Sequence, residues 1–309
     1  MARILVTGAG GFIGRALCPA LAARGHRVVA GVRAAGPPIA GAELRVLGTI
    51  SPEREWATDL RDVDIVVHLA QRAHRRAGST LADEPPAAAR LARGAAQAGI
   101  RRLLYISSIK AMGDATPPGR PFRADDPPRP DGAYGRAKLA TEQALQQVAA
   151  ETGLDFVILR PPLVYGPGVG GNFRALARLS GSGLPLPFAG LDNRRSLLFL
   201  DNLVDLVGVA LSHPAAAAKV LLAADGANLS TAALIRILAQ GQGRRARLFA
   251  VPELALAALR GLPAIGPAFG RLTLSLQVDD GATRALLGWA PPVAAEAALG
   301  ATARALAFG

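Results

Sequence analysis

The stretch VTGAGGFIG, residues 6–14, constrains the fold of this chain more than any other. Gly8, Gly11 and Gly14 recur three residues apart, with Gly10 between them, directly after the apolar run RILVT (3–7). Glycine permits a sharp turn and lets the backbone approach a ligand closely. The free amides and positive end of the helix that follows then stabilise an anion. A glycine loop between a first strand and a first helix is the pyrophosphate cradle of a dinucleotide-binding unit, and it commits the chain to a parallel sheet.

The rest of the first half agrees. Apolar runs at 3–7, 27–32 (RVVAGV), 44–48 (LRVLG), 64–70 (DIVVHLA), 102–108 (RLLYISS) and 155–160 (DFVILR) alternate with longer alanine-rich segments. Repeated βα units of this kind predict an α/β fold with a Rossmann-like, doubly wound parallel sheet. After RPPLVYGPG the rhythm breaks, and from about 227 it turns mainly helical, which predicts a smaller C-terminal substrate lobe. The stretch 195–211 reads as a strand running into a helix that returns to the large sheet. Residues 1–162 with about 191–226 are thus expected to bind the dinucleotide, and 163–190 with about 227–309 to bind substrate. The proline-rich stretch 115–130 reads as a mobile loop.

Charge narrows the function. The formal net charge is +12 and the pI near 11.2, but the arginines are scattered rather than gathered into a stripe with aromatics. That argues against a nucleic-acid partner and for a solvated basic surface, with cations to spare for an anionic small substrate. Cys18 is the single cysteine, so neither an internal disulfide nor a cysteine-built zinc site is expected, and no metal is. The start MARILVTG lacks a secretory pattern and no apolar run is long enough to span a membrane, which predicts a cytoplasmic protein.

Two local patterns carry chemistry. At the end of the second strand, where an NAD site commonly holds an acid, stand Val32 and then Arg33, which favours NADP(H) over NAD(H). In AYGRAK, Tyr134 and Lys138 are four apart and share a helix face. An ammonium beside a phenol is expected to lower the phenol's pKa and fit it for proton exchange with a sugar oxygen. Upstream, YISSIK ends a strand with Ser107 and Ser108 facing the ligand crevice, where Ser108 is placed to bond the reacting oxygen.

Together these motifs resemble the extended branch of the short-chain dehydrogenase/reductases, with its TGxxGxxG loop and Ser-Tyr-Lys triad. VDIVVHLA, RPPLVYGPG, RSLLFLDN and LLGWAPP extend the likeness over nearly the whole chain. Within that branch it is similar to the NAD(P)-dependent epimerase/dehydratases related to UDP-glucose 4-epimerase. SSIKAMG, RPPLVYGPGVGGNF and SLQVDDGATRALLGW resemble most the bacterial UDP-4-keto-6-deoxy-N-acetylhexosamine 4-reductases that make UDP-N-acetylquinovosamine or a similar sugar.

The resemblance implies that Tyr134 is the acid-base, that Lys138 holds the nicotinamide ribose, and that Ser108 orients the sugar oxygen. It implies cofactor contacts from Gly8, Gly10, Gly11, Phe12, Ile13, Gly14, Arg33, Thr49, Ile50, Leu69, Ala70 and Pro161. Asn172, Arg195 and Arg271 would meet the diphosphate of a UDP-linked substrate, and Lys110 the sugar. Family members often form homodimers, and the helix of Tyr134 is small enough in side chains to pack on a copy of itself.

Three positions depart from the family. Thr49 replaces an aspartate beside the adenine. ADEPPAAARLARGAAQAG, with prolines 85 and 86, lacks the asparagine-glycine-threonine signature that opens the fourth helix and supports the strand of the catalytic serine. Leu163 replaces an asparagine usual in epimerases. Ile109 and Lys110 stand where a 4,6-dehydratase needs an Asp-Glu pair, so dehydration is not expected. Reduction of a 4-ketone is favoured, epimerisation at C4 with retained NAD is the alternative, and a non-catalytic NADP-binding regulator is the second.

Overall fold

The computed structural model describes residues 1–70, 81–262 and 266–307. In chain order the first half forms β1 (Arg3–Thr7), α1 (Phe12–Ala23), β2 (Arg27–Val32), β3 (Ala42–Val46), β4 (Ile65–His68), α2 (Glu84–Gln97), β5 (Arg102–Ile106), α3 (Ala133–Thr152) and β6 (Phe156–Arg160). There follow β7 (Leu163–Tyr165), α4 (Gly171–Ser180), β8 (Pro185–Leu186), β9 (Arg195–Phe199), α5 (Leu200–Ser212), β10 (Lys219–Leu222) and β11 (Asn228–Leu229). The chain ends with α6 (Thr231–Gly241), β12 (Arg247–Leu248), α7 (Glu253–Arg260), α8 (Gly266–Thr273), α9 (Gly281–Leu287) and α10 (Ala295–Ala307).

Seven strands form one parallel sheet in the order β10-β6-β5-β4-β1-β2-β3. Chain order reverses between β1 and β4, and in such sheets the crevice beyond the strand ends at that reversal receives the ligand. Leu17, Leu21, Leu203 and Leu206 of α1 and α5 cover one face, against Ile4, Val6 and Val67. Leu91, Ala92, Leu145 and Val148 of α2 and α3 cover the other, against Leu5, Val66 and Leu103. Burial on both faces is why RILVT and IVVH run apolar without alternation.

A second core gathers Tyr165, Phe173, Leu197, Phe199, Ile235 and Leu299 around a three-stranded sheet, β11-β9-β7. Here the structure differs from the sequence expectation. The strand at 195–199 pairs with β7 and β11 instead of joining the large sheet, and the return to that sheet is made by β10 beside β6. The reason lies in β9 itself: Leu198 packs into the first core while Leu197 and Phe199 pack into the second. Both faces of β9 are buried, one by each body, so it sits at their junction.

The stretch 115–130 is also more tied than its prolines suggest. Thr116 N donates to Ser275 O at 2.9 Å, Phe122 N to Gln277 O at 2.9 Å, and Asp279 N returns a bond to Phe122 O at 2.9 Å. Among the described residues no helix is long and apolar enough to cross a membrane.

Candidate active site

The glycine loop lies at the strand reversal. Gly8 has φ +73°, and a Cβ there would stand 2.7 Å from the backbone nitrogen of Ala70. Glycine at 8 therefore lets β1 and the end of β4 close on each other. Leu69 N donates to Thr7 O at 3.1 Å, which hangs Leu69 and Ala70 beside the loop. Helix α1 opens at Phe12 and Ile13 with no acidic residue in its first turn and no side-chain cap. Its first amides have no partner within the helix. Arg15 donates Nε to Gly10 O at 3.0 Å, adding a cation. A loop of glycine backbone with no acidic residue in the helix turn it opens, and with a guanidinium beside it, fits a pyrophosphate. Arg33 is exposed just past β2; beyond β3, Thr49 is exposed and Ile50 half-buried; Pro161 is buried, its carbonyl accepting Ile109 N at 2.9 Å.

Ser108 follows β5 and caps a short 3-10 turn, its Oγ accepting Lys110 N at 3.2 Å. A Cβ on Gly135 would overlap the Lys110 carbonyl, so glycine between Tyr134 and Arg136 allows α3 to close onto that turn. Ser108 is hydrogen-bonded with Tyr134. Lys110 is committed to Asp114 in an ion pair. Helix α2 begins at Glu84 with Pro85 and Pro86 in its first turn, where proline costs no hydrogen bond. The departure from the asparagine-glycine-threonine signature thus leaves the helix intact and puts a carboxylate at its start.

The electrostatics correct one expectation. Tyr134 is 36% exposed, yet its phenol is pushed up to about 12, by burial first and then by the Glu84 carboxylate, with the Ser108 hydrogen bond opposing. Lys138 does not pull it down, because burial lowers the ammonium so far that it has lost its charge before such a phenol titrates. Nζ donates to Tyr105 Oη at 2.6 Å and lies 6.0 Å from the centre of the Tyr134 ring. Lys138 is wholly buried, and that burial lowers it to about 7 against the opposing pull of Glu84 and Glu142.

Sequence reasoning missed the groups behind this triad. Tyr105, His68 and Thr7 stand side by side in register on β5, β4 and β1. His68 Nδ1 and Thr7 Oγ1 are 2.7 Å apart, and the His68 and Tyr105 rings stack at 5.7 Å. Burial and the Lys138 charge drive His68 down to about 3, so it is neutral. One turn beyond Lys138, Glu142 accepts Arg160 Nε at 3.0 and 3.1 Å on its two oxygens, and the Ser107 hydroxyl as well. The spacing of 134, 138 and 142 was the available signal for Glu142.

In the other body Arg195 on β9 donates to Leu274 O at 2.9 Å, and burial lowers its guanidinium to about 10. Arg271 is exposed on α8, three residues before Leu274. Asn172 is exposed in the first turn of α4.

Comparisons with known proteins bear on this geometry. Residues 4–223 match the NAD dependent epimerase/dehydratase family. The chain is 37% identical to a UDP-glucose 4-epimerase of Vibrio cholerae, over 98% of this chain and 94% of that one. A UDP-N-acetylglucosamine 4-epimerase from Bacillus cereus superposes with TM-score 0.80 over all of both chains at 22% identity, which speaks to the fold. MoeE5, solved in complex with UDP-glucuronic acid and NAD, superposes with TM-score 0.78 at 26% identity, over 98% of each chain.

Proposed function

The chain belongs to the NAD dependent epimerase/dehydratase family, as an enzyme of the extended short-chain dehydrogenase/reductase type, and on that premise we propose that it epimerises C4 of a UDP-linked hexose. One observation carries the reading: Ser108, Tyr134 and Lys138 meet at the end of β5, in the sheet whose strand reversal holds the glycine cradle. The sequence alone favours reduction of a 4-ketone over epimerisation; the similarity to a UDP-glucose 4-epimerase over nearly the full chain supports the reverse order. The body built on 1–162 with about 191–226 takes the cofactor in this reading, and the remainder takes the nucleotide sugar.

The glycine loop and the first turn of α1 would hold the pyrophosphate, and Lys138 the nicotinamide ribose. A nicotinamide held there would supply the hydride acceptor and donor for C4 of the sugar. Tyr134, whose phenol stands at about 12 without ligand, would take the proton of the C4 hydroxyl once added positive charge beside it gives the phenolate, and would give that proton back as the alcohol re-forms. Ser108 donates to the same oxygen and holds it against Tyr134. Arg195 and Arg271 offer positive charge to the diphosphate at the lobe edge, with Asn172 as a further donor.

The test offers UDP-glucose with catalytic NAD. Interconversion with UDP-galactose, without net change in cofactor absorbance, is expected. A chain that converts no UDP-hexose but oxidises NADPH stoichiometrically with a UDP-4-keto-6-deoxy sugar is the reductase. That second reading rests on Arg33, which is exposed at the end of β2 where an NAD site commonly has an acid. Titration of both cofactors against Arg33→Ala separates the two. If Arg33 serves a 2′-phosphate, the variant loses about tenfold in NADPH affinity, roughly one charge-assisted hydrogen bond, and none for NADH. Equal losses for both cofactors would remove the NADP reading.

A further inference from the structure

A wholly buried ammonium is costly unless its hydrogens are taken up. Lys138 directs one N–H to Tyr105 Oη at 2.6 Å and another to Ile106 O at the longer distance of 3.4 Å. Tyr105 is itself 2% exposed, with the ammonium 4.6 Å from its ring centre and the His68 ring stacked on it at 5.7 Å. His68 in turn is anchored by Thr7 at 2.7 Å. Thr7, His68 and Tyr105 occupy adjacent strands in register, so the row is fixed by the sheet and not by a loop.

We propose that Tyr105 is a positioning residue: its hydroxyl, held in place by the Thr7–His68 row, fixes the Lys138 ammonium and leaves one of its three N–H groups for the ribose. This deepens the reading of Lys138 given above and rests on it. The phenol of Tyr105 is kept protonated, since burial raises it well above its ordinary range and Glu84 adds to this. Its oxygen is therefore a neutral acceptor. Charged and titratable groups facing Lys138 are Tyr105 on β5, His68 on β4, Glu84 on α2, and Tyr134 and Glu142 on α3. Of these, the two carboxylates favour its charge and burial opposes it.

The sign of the effect follows. Lys138 is charged below its pKa and loses its charge as pH rises through it. Removing an acceptor of the charged form lowers that pKa, so the loss comes at lower pH. The chain has three lysines, Lys110, Lys138 and Lys219, and three tyrosines. Lysine labelled with ¹³C at the ε-carbon therefore reports Lys138 directly, assigned by Lys138→Arg. Tyr105→Phe keeps the ring and its stack. Its Lys138 midpoint is expected to fall by about one pH unit or more, the worth of a hydrogen bond to a charged group, and the high-pH fall of kcat to move with it.

An unchanged midpoint in Tyr105→Phe would overturn the proposal. A midpoint that moves while the rate profile stays put would instead unseat the catalytic role of Lys138 and leave the contact standing. A second measurement needs no variant at position 105: in wild-type chain carrying 3-fluorotyrosine, the Tyr105 ¹⁹F signal is expected to shift with the Lys138 midpoint. A Tyr105 signal that stays flat while Lys138 titrates refutes the contact.

Discussion

Tyr134→Phe is expected to lower turnover by about 10²–10⁴, the usual worth of a positioned acid-base group, with cofactor affinity unchanged. The substitution removes one oxygen and leaves the ring at the start of α3. Tyr134 is 36% exposed and its hydrogen bond is to Ser108, so the loss of that oxygen is felt first within the site. The loss is therefore expected in kcat and kcat/KM together, the pattern of an interaction made in the transition state. The phenol is held up at about 12 by burial and the Glu84 carboxylate. At neutral pH it is thus a protonated group, suited to giving a proton, and it needs added positive charge nearby to take one. A variant with wild-type kcat would remove Tyr134 from the chemistry; a rise in KM with kcat intact would recast it as a binding group only.

How much of this was legible in the sequence depends on whether the cause was local. The turn between β1 and α1, the six strand candidates of the first half and the placing of Tyr134 and Lys138 one turn apart on a helix are short-range patterns. As local structure they read correctly because a strand buried on both faces, or two residues one helical turn apart, declares itself within a few positions. The partner of β9 did not, because Leu197, Leu198 and Phe199 are apolar in succession and nothing local says which core takes which face. Nor did Tyr105, which reads as one more apolar strand residue until β4 and β5 pair and set it between His68 and Lys138. The expected lowering of Tyr134 failed for the same reason. Spacing put the ammonium on the right helix face, but spacing alone could not weigh the burial that lowers Lys138 to about 7, nor the Tyr105 hydroxyl 33 residues before it that accepts its N–H at 2.6 Å.

Glu142→Ala is expected to destabilise the fold by about 3–5 kcal/mol, the cost of leaving a buried charge without its partner. Glu142 and Arg160 side chains are 1% and 6% exposed, so solvent cannot replace the lost carboxylate. The ion pair joins α3 to the end of β6, and Ser107, just past β5, bonds to it, so these three elements share one anchor. Trp56 and Trp289 are both buried, one in each face of the large sheet, and their fluorescence reports unfolding in denaturant. Replacing both partners by Glu142→Leu with Arg160→Met is expected to recover most of the loss, because well-packed apolar groups can substitute for a buried pair. The same double variant still removes a carboxylate that favours the charge on Lys138. Stability should therefore return while the fall of activity at high pH stays displaced to lower pH. If restored stability brought the wild-type pH profile back with it, Glu142 would be an anchor alone and its carboxylate would have no part in keeping Lys138 charged.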